Sequence, residues 1–234
     1  MDMARMMTEL DGRVSDGDSL IDLMHRSSKE AVRLLSGVDW AGVTAQFAGS
    51  GFTAAHTEDR VLIVDEGQYG QGDGPCLQAM RTGRPVTMSS EEVSQRWPVL
   101  DRAVHVAGVR TFRAQPLYVH HQIVGCLNMY GGKPETLTPD LNVLTALTEY
   151  LDRGFTDYVA AQPGGTIAIE LQDTLHARFR INQAVGVLMA VNGVDAGTAR
   201  KLLDQQAADQ STPLVETAEA VIDEHTPSGD PRNR

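Results

Sequence analysis

Residues 178–189 read Arg178-Phe179-Arg180-Ile181-Asn182-Gln183-Ala184-Val185-Gly186-Val187-Leu188-Met189, which is the most specific pattern in the chain. A helix turns by about 100° per residue, so this run and its neighbours place apolar side chains on two adjacent faces. The first face carries Ala177, Ile181, Ala184, Val185 and Leu188. The second carries Leu171, Leu175, Phe179, Gly186 and Met189. A helix that is apolar over such a wide arc must be covered on two sides. We expect its own helical bundle on one side and a partner chain or the preceding domain on the other.

The third face of the same helix is polar. It carries four hydrogen-bonding side chains, Gln172, His176, Arg180 and Gln183. Such groups reach the phosphates and exposed loop bases of RNA. The same pattern is also typical of the solvated face of a small helical bundle, so the residues alone leave both interpretations open.

Two more helical patterns follow this helix, and a break precedes it. The three patterns cover residues 167–191, 196–209 and 214–225. Pro163-Gly164-Gly165 predicts a linker, which we place at 161–166. Residues 226–234 hold two Pro, one Gly and no large apolar side chain, so we expect a disordered tail. Together these features predict a small all-α domain of three helices over residues 167–225.

This run, the helix end at Gly193-Val194-Asp195 and the apolar spacing of the next two helices resemble the ANTAR domain, an RNA-binding module of bacterial transcription antiterminators. The resemblance implies a homodimer that binds paired hairpin loops in nascent leader RNA and stops the competing terminator stem from forming. It implies an RNA-facing motif made of Arg180, Gln183, Ala184 and Gly186, and we add His176 and Arg178 to the predicted RNA-binding set.

Two positions depart from the family pattern. Val185 stands where the family often has Lys, and Asp204 stands where it often has Arg. Each change removes positive charge, which weakens phosphate contacts. A ligand-sensing or protein-interaction dimer with degenerate RNA binding therefore remains the alternative.

The part of the chain before the linker mixes strand and helix patterns. Asp18-Ser19 predicts the cap of a helix over 20–35, after an N-terminal arm at 1–17 that is loose or helical. Alternation from Asp39 to Phe47 and the apolar run Val61-Leu62-Ile63-Val64 predict strands. Residues 116–119 and 123–130 predict two antiparallel strands joined by a tight turn at His120-His121-Gln122. Thr138-Pro139 predicts the start of a helix that runs through Phe155.

Six stretches in this part carry a second resemblance. They are Asp39-Trp40-Ala41-Gly42-Val43, residues 65–76, Arg96-Trp97-Pro98, Gly108-Val109-Arg110, Pro116-Leu117 and residues 125–130. Their order and spacing resemble a GAF domain of the bacterial signalling type over residues 18–160. The resemblance implies an α+β fold, an antiparallel sheet with flanking helices, and a dimer formed through the first and last helices. It also implies a pocket for an unknown small-molecule ligand, for which we select Trp40, Tyr69, Cys76, Trp97 and Phe112.

Several motifs in this domain have a chemical interpretation beside a structural one. The Gly70-x-Gly72-x-Gly74 run could face an anion at a helix that starts near Pro75, or it could be a turn that needs glycine. Cys76 and Cys126 could form a redox pair or pack as small apolar residues. We interpret His120-His121 as a solvated turn and predict no metal, cofactor or catalytic residue. An enzyme resembling the GAF-like free methionine sulfoxide reductases is a remote third hypothesis.

The composition limits these hypotheses. The chain has 234 residues, 20 Lys and Arg against 31 Asp and Glu, and a net charge of −11. This excludes a broadly basic nucleic-acid binder. Two cysteines exclude a disulfide scaffold, and no apolar run reaches the roughly 18 residues of a membrane span, so we predict a cytoplasmic protein without membrane contact. Residues 171–189 hold two Arg and one Asp. A small RNA site whose affinity depends only weakly on salt is therefore compatible with the net negative charge of the chain.

The full prediction is a signal-responsive transcription antitermination regulator. Its α+β GAF domain senses a signal, and its all-α ANTAR domain binds leader RNA hairpins. We expect the helix over 141–155 and the Gly164-Gly165 joint to transmit the signal.

Overall fold

A computed structural model describes residues 2–47, 50–134, 137–161 and 167–225. Contacts divide the chain into two compact units, Met1–Leu171 and Gln172–Arg234. The predicted linker at Pro163-Gly164-Gly165 and the predicted tail at 226–234 lie outside the described residues.

The first unit contains a five-stranded antiparallel sheet in the order β2-β1-β5-β4-β3. Its strands are β1 (Trp40–Phe47), β2 (Ser50–His56), β3 (Val86–Ser89), β4 (Thr111–Val119) and β5 (Gln122–Gly131). Its helices are α1 (Asp2–Leu10), α2 (Gly17–Leu34), α3 (Arg60–Gln71), α4 (Pro75–Thr82), α5 (Ser90–Arg96), α6 (Asp101–Ala107) and α7 (Leu141–Ala161). The predicted α+β class is confirmed, as is the strand that begins near Asp39.

The hairpin between β4 and β5 is also confirmed. His120 and His121 have φ angles of 46° and 68°, and the ladder closes directly across them from Val119 to Gln122. Two consecutive residues with positive φ form the turn whose twist matches that of a hairpin. Both imidazoles are exposed at the tip of this turn.

The prediction of a strand at residues 61–64 is wrong, because this run forms the first turns of α3. Val61, Val64, Asp65 and Gln68 are buried at i, i+3, i+4 and i+7, whereas Ile63 is 40% exposed. Periodicity cannot distinguish a strand from a helix in so short an apolar run. The helical spacing continues into polar residues, so two polar side chains face the interior.

Two helix starts differ from the sequence prediction. The α2 cap is Asp16 rather than Asp18-Ser19, because the Asp16 carboxylate accepts from the Ser19 amide at 2.8 Å and the Ser19 hydroxyl accepts from the Asp16 amide. Helix α7 begins at Leu141, after Asp140 rather than Pro139, and the Asp140 carboxylate accepts from the Asn142 amide at 2.8 Å. The N-terminal arm takes its helical form as α1, which contacts α2.

Helices and sheet form the core of the first unit in a layered arrangement. Helices α2 and α7 pack together and against β1 and β4. Another apolar cluster joins Phe112 and Tyr130 of the sheet to Val61, Val64 and Val104 of α3 and α6. The space between α3, α4 and the sheet is polar and is described below.

The second unit contains α8 (Ile167–Asn192) from Gln172 onward, together with α9 (Ala196–Gln210) and α10 (Leu214–His225). These bounds confirm the three predicted helices. Gly193 ends α8 with a φ angle of 64°, and the Asp195 carboxylate caps α9 by accepting from the Thr198 amide at 2.9 Å. The apolar core joins all three helices and consists of Ala184, Leu188, Ala199, Leu203, Ala218, Val221 and Ile222. The first predicted face of α8 is therefore the one that its own bundle covers.

Candidate functional site

One exposed stripe of α8 brings together three of the residues expected to face RNA. His176, Gln183 and Gly186 are exposed, and a Cβ added to Gly186 would meet nothing within 4 Å. Their spacing of i, i+7 and i+10 places them on one side of the helix. We call these three residues, together with Arg180, the polar stripe. It offers hydrogen-bonding side chains beside a backbone that another molecule can approach closely.

Arg180 lies at the edge of the polar stripe and has two partners. Its Nη1 donates to Oε1 of Gln183 at 3.1 Å, and its Nε lies 3.7 Å from a carboxylate oxygen of Glu219 on α10. The Arg180 side chain remains 23% exposed. An incoming phosphate would therefore find this guanidinium accessible but already paired with an acidic residue.

The other two residues of the expected set lie elsewhere. Ala184 is fully buried in the core of the second unit, where its methyl group packs among apolar residues of the three helices. Arg178 is half-buried and lies about 200° around the helix from Arg180, so the two side chains leave α8 in different directions.

The second apolar face of α8 is open to solvent within the second unit. Phe179 is 65% exposed and Met189 is 37% exposed, while Leu175 is half-buried. Together with Gly186, they follow at i, i+4, i+11 and i+14, the spacing of one helical stripe. We call Leu175, Phe179, Gly186 and Met189 the apolar stripe. It lies directly beside the polar stripe, and the two share Gly186.

The unusual Asp204 forms an ion pair within α9. Its carboxylate lies 2.9 Å from Nε of Arg200, one helical turn away. Both side chains are about half exposed. The positive charge of Arg200 is therefore balanced locally, which leaves α9 with less attraction for phosphate than a helix with Arg at position 204 would have.

In the first unit, a buried carboxylate forms the centre of a polar cluster between α3 and the sheet. Asp65 has no exposed surface and accepts hydrogen bonds from Tyr130 and, at 2.8 Å, from Thr53. The amide nitrogens of Asn128 and Gln68 lie 3.4 Å from Asp65 Oδ1, the oxygen that also accepts from Tyr130. Among the described residues, no Lys, Arg or His forms an ion pair with Asp65.

Further hydroxyl and thiol groups extend this cluster. The Tyr69 hydroxyl lies 2.8 Å from Thr44 Oγ1 and 2.9 Å from Thr53 Oγ1. The Asn128 amide nitrogen donates to Thr44 at 2.8 Å, and the Cys76 thiol donates to the same oxygen at 3.4 Å. We call Asp65, its partners and these residues the Asp65 cluster.

Burial changes the acidity of the cluster. It raises the pKa of Asp65 to about 6, although the hydrogen bonds from Tyr130, Thr53 and Asn128 oppose the shift. Burial also raises the pKa of Tyr130 well above its usual value, and the neighbouring Asp65 charge adds to this effect. Burial therefore disfavours the charged forms of both Asp65 and Tyr130.

Two openings border the Asp65 cluster. The first is a narrow cavity, too small to admit a water molecule, lined by Gln68, Pro75, Cys76, Phe112, Arg113, Ala114, Asn128 and Tyr130. The second is a larger cleft lined by Gln46, Gly51, Tyr69, Gly72, Leu77, Met80 and Arg81. Of the residues selected for a pocket, Cys76 and Phe112 reach the cavity, and Tyr69 reaches the cleft.

The two tryptophans of the pocket set line neither opening. Trp97 is 6% exposed in the apolar cluster around Phe112, and Trp40 packs against that cluster. The Arg60 guanidinium covers the Trp40 ring at 4.4 Å from its centroid. Both tryptophans thus build the core beside the Asp65 cluster.

Sequence reasoning missed the central residues of the cluster. Asp65, Gln68 and Asn128 are buried polar side chains, and the helical spacing of Val61, Val64, Asp65 and Gln68 was the signal that could have found the first two. The strand interpretation of residues 61–64 hid this spacing. Asn128 gave no signal, because its partners are remote in sequence.

Two interpretations of the glycine run were left open, an anion-facing loop and a turn that needs glycine. The structure shows the turn. Gly70 lies within α3, Gly72 ends that helix with a φ angle of 71°, and α4 begins at Pro75 as expected. Two of the amides at the start of α4 already have partners within the chain. The Gly74 amide donates to the Asp73 carboxylate at 2.9 Å, and the Cys76 amide donates to Gln68 at 2.8 Å.

Both cysteines are buried free thiols in one apolar cluster. Burial and the neighbouring Cys76 raise the pKa of Cys126 well above its usual value. No group of three potential metal ligands occurs within residues 2–47, 50–134, 137–161 and 167–225. No helix in the described part of the chain is long and apolar enough to cross a membrane.

Two family models match this chain. A GAF domain matches residues 17–153, and an ANTAR domain matches residues 170–222. No curated protein matches the chain.

Several solved structures are similar to part of this chain. One is the phycocyanobilin-bound GAF domain of a cyanobacterial phytochrome, with 13% identity, a TM-score of 0.48 and coverage of 69% of this chain and 93% of that chain. Another is the reduced free methionine-R-sulfoxide reductase of Staphylococcus aureus, with 15% identity, a TM-score of 0.45 and coverage of 65% and 91%. The corresponding enzyme of Neisseria meningitidis, in complex with its substrate, has 15% identity, a TM-score of 0.46 and coverage of 68% and 87%.

The GAF match spans more than half of the chain, and the ANTAR match covers most of α8, α9 and α10. Both are regulatory domains. The protein belongs to the GAF family and carries an ANTAR domain after its GAF domain, the combination of a GAF-regulated RNA-binding regulator.

Proposed function

We propose that this protein is a signal-responsive transcription antitermination regulator whose ANTAR domain binds hairpin loops in nascent leader RNA. The observation that carries the proposal is the polar stripe of α8, which presents His176, Arg180, Gln183 and an uncovered Gly186 within the matched ANTAR region. Amide, imidazole and guanidinium groups bind phosphates and unpaired bases, and the glycine lets a backbone approach. The compartment that this function requires is the cytoplasm.

We propose that the protein acts as a homodimer formed through the apolar stripe of α8. Phe179 and Met189 expose apolar surface that the second unit does not cover, and association with a second copy would bury it. Because the polar stripe lies beside the apolar stripe, pairing two copies of α8 would set two polar stripes side by side. Such a dimer has one binding face for each of two consecutive hairpins.

In this proposal the GAF domain controls the RNA-binding state. A ligand shifts an equilibrium between two states only by its different affinity for them. The Asp65 cluster and the two openings beside it are the sensor site, and binding there would favour one arrangement of the dimer. No covalent chemistry is needed for this control.

The test is RNA binding by the full chain, measured by fluorescence anisotropy with an RNA of two consecutive hairpins selected from a pool with randomised loops. Arg180→Ala should weaken binding about tenfold, since a hydrogen bond to a charged group is lost. Arg200→Ala is the matched control, because Arg200 is also an accessible arginine paired with one acidic residue. Equal effects of the two substitutions would remove Arg180 from the site. Absence of any selected RNA would refute the proposed function.

The ion pairs Arg180–Glu219 and Arg200–Asp204 favour a second candidate, a ligand-sensing or protein-interaction dimer that no longer binds RNA. This candidate predicts that a signal changes dimer assembly while no RNA is enriched at any salt concentration. Light scattering of the full chain, with and without selected RNA, separates the two.

A further inference from the structure

The cleft beside Tyr69 has room for a small metabolite. Its volume is about 280 Å³, close to the lower end of the roughly 300–1,000 Å³ of small-molecule sites. It is formed where β1 ends, β2 begins and α3 ends, with α4 as its other wall. Tyr69, Leu77 and Met80 supply apolar surface, and Gln46 and Arg81 supply polar groups. An apolar lining with a few polar side chains is typical of a ligand site.

Arg81 supplies the positive charge of this lining, and Asp73 holds it in place. Nη2 of Arg81 lies 2.5 Å from Asp73 Oδ1, which also accepts from the Gly74 amide at 2.9 Å. The main-chain carbonyl of Asp73 accepts from the Gln71 side-chain nitrogen at 2.7 Å, so the loop that carries Asp73 is itself anchored. A guanidinium has five N–H donors, and Arg81 bonds the described residues through Nη2 alone. Its other N–H groups remain available to an anion in the cleft.

An unused amide and an aromatic ring share the cleft with this guanidinium. Gln46 is half-buried, and its amide forms no hydrogen bond with any residue that the structure describes. The Tyr69 hydroxyl bonds Thr44 and Thr53, so its ring is the part of this side chain that is left to contact a ligand. A Cβ on Gly51 would lie 3.0 Å from that ring. Glycine at this position of β2 therefore keeps the space beside the ring open.

From this arrangement we propose that the cleft binds a small organic carboxylate that carries an apolar ring. Its carboxylate accepts charge-assisted hydrogen bonds from Arg81, its ring packs against Tyr69, and the Gln46 amide supplies a further donor. Tyr69 belongs to the Asp65 cluster, so the ligand contacts a member of that cluster directly. This inference rests on the proposed sensor role of the GAF domain and names the class of ligand that it detects.

Two properties of the ligand are tested separately, its charge and its ring. Benzoate carries both and is the probe. Benzamide keeps the ring and the shape but is neutral. Acetate and inorganic phosphate keep negative charge but have no ring. Because arginine binds carboxylate and phosphate alike, phosphate distinguishes a site for a ring-bearing carboxylate from a site for a bare anion.

The experiment measures saturation-transfer NMR signals of each organic probe with the full chain at pH 7.5, against probe concentration, with sodium chloride holding the ionic strength constant. This method detects weak binding as well as strong binding. We expect a saturating signal from the benzoate ring protons and a roughly tenfold higher Kd for benzamide, which lacks the charged acceptor. Acetate should give no saturating signal. Inorganic phosphate should displace benzoate no better than sodium chloride of the same ionic strength.

Two variants test the assignment of residues. Arg81→Gln removes the charge and should raise the Kd of benzoate roughly tenfold, because charge-assisted hydrogen bonds are lost. Gln46→Leu keeps the size of the side chain, removes the amide and should raise the Kd about two- to tenfold. Arg84→Gln is the matched control, because Arg84 is an exposed arginine just after α4 that does not line the cleft. If Arg81→Gln unfolds, which far-UV circular dichroism reports, Gln46→Leu decides the result.

Four results would each overturn the proposal: equal binding of benzamide and benzoate, no benzoate signal with the folded wild type, displacement of benzoate by phosphate, or equal effects of Arg81→Gln and Arg84→Gln. Since RNA is absent from this measurement, such a failure leaves the RNA-binding proposal standing. Conversely, benzoate binding by a protein that selects no RNA would refute the antitermination function and keep this site.

Discussion

The Nε atom of Arg180 lies 3.7 Å from the carboxylate of Glu219. An acidic residue of α10 is thus paired with the guanidinium that we propose for RNA binding. Glu219 is 45% exposed, and water screens the attraction between the two groups. The pair is therefore weak enough for a phosphate to replace the carboxylate.

Glu219→Gln should strengthen RNA binding, because it frees Arg180 and removes a nearby negative charge. The expected gain is roughly two- to fivefold, the range of an exposed ion pair. The measurement is fluorescence anisotropy with the selected twin-hairpin RNA at several salt concentrations. Asp204→Asn, which frees Arg200 in the same way, is the control. A larger gain from Asp204→Asn would move the RNA contact to α9.

Phe179→Ser should weaken the proposed homodimer. The phenyl ring is 65% exposed in the protomer and is the largest apolar group of the apolar stripe. Its burial in a dimer would contribute about 1.5–3 kcal/mol for each copy. Multi-angle light scattering across a dilution series should show the variant dissociating at higher concentration than wild type. Leu202→Ser, at another exposed apolar residue on α9, should leave assembly unchanged. An unaltered assembly in Phe179→Ser would place the dimer contact elsewhere.

The raised pKa of Asp65 predicts how stability varies with pH. Between its unfolded value near 3.8 and its folded value of about 6, the folded chain binds more protons than the unfolded chain. The free energy of unfolding should therefore decrease as pH rises through this window, by up to roughly 3 kcal/mol from this group. Urea unfolding of wild type and Asp65→Asn at pH 4 to 7 isolates the contribution, because the variant lacks the titrating group. If the free energies of unfolding of wild type and Asp65→Asn changed with pH in parallel, the raised pKa of Asp65 would be contradicted.

Gly125→Ala should destabilise the sheet where β5 crosses β1. A Cβ at this position would lie 2.2 Å from the Thr44 carbonyl oxygen, and a backbone atom cannot move aside as a flexible side chain can. We expect a loss of about 1–3 kcal/mol from overpacking. Gly70→Ala is the matched control, since a Cβ there meets nothing within 4 Å and alanine favours the helical interior of α3. Equal Tm values for Gly125→Ala and Gly70→Ala would contradict this prediction, because β1 and β5 would then have moved apart without any loss of stability.

The sequence predicted the second unit more completely than the first. Helices α8, α9 and α10 have local periodic patterns, a glycine at Gly193 and a cap at Asp195, so their bounds follow from neighbours in the chain. Strand β2, strand β3 and helices α5 and α6 were not predicted, because their short patterns depend on partners far away in sequence. Asp65 and Asn128 illustrate the same limit, since they lie 63 positions apart and meet only in the folded sheet.

The hydrogen bonds around Asp65 also have a direction. An ionised carboxylate only accepts, so Thr53 donates to it; the Tyr69 hydroxyl then donates to Thr53, and Thr44 donates to Tyr69. The negative charge of Asp65 thus orients three hydroxyl protons one after another: Thr53 on β2, then Tyr69 on α3, then Thr44 on β1. Neutralising Asp65 removes the reason for this order, and the hydroxyl groups can then reverse. The charge of Asp65 thus determines which way the Thr44 hydroxyl proton points. Thr44 lies on β1, and in this chain of hydrogen bonds Asp65 has no direct bond to that strand.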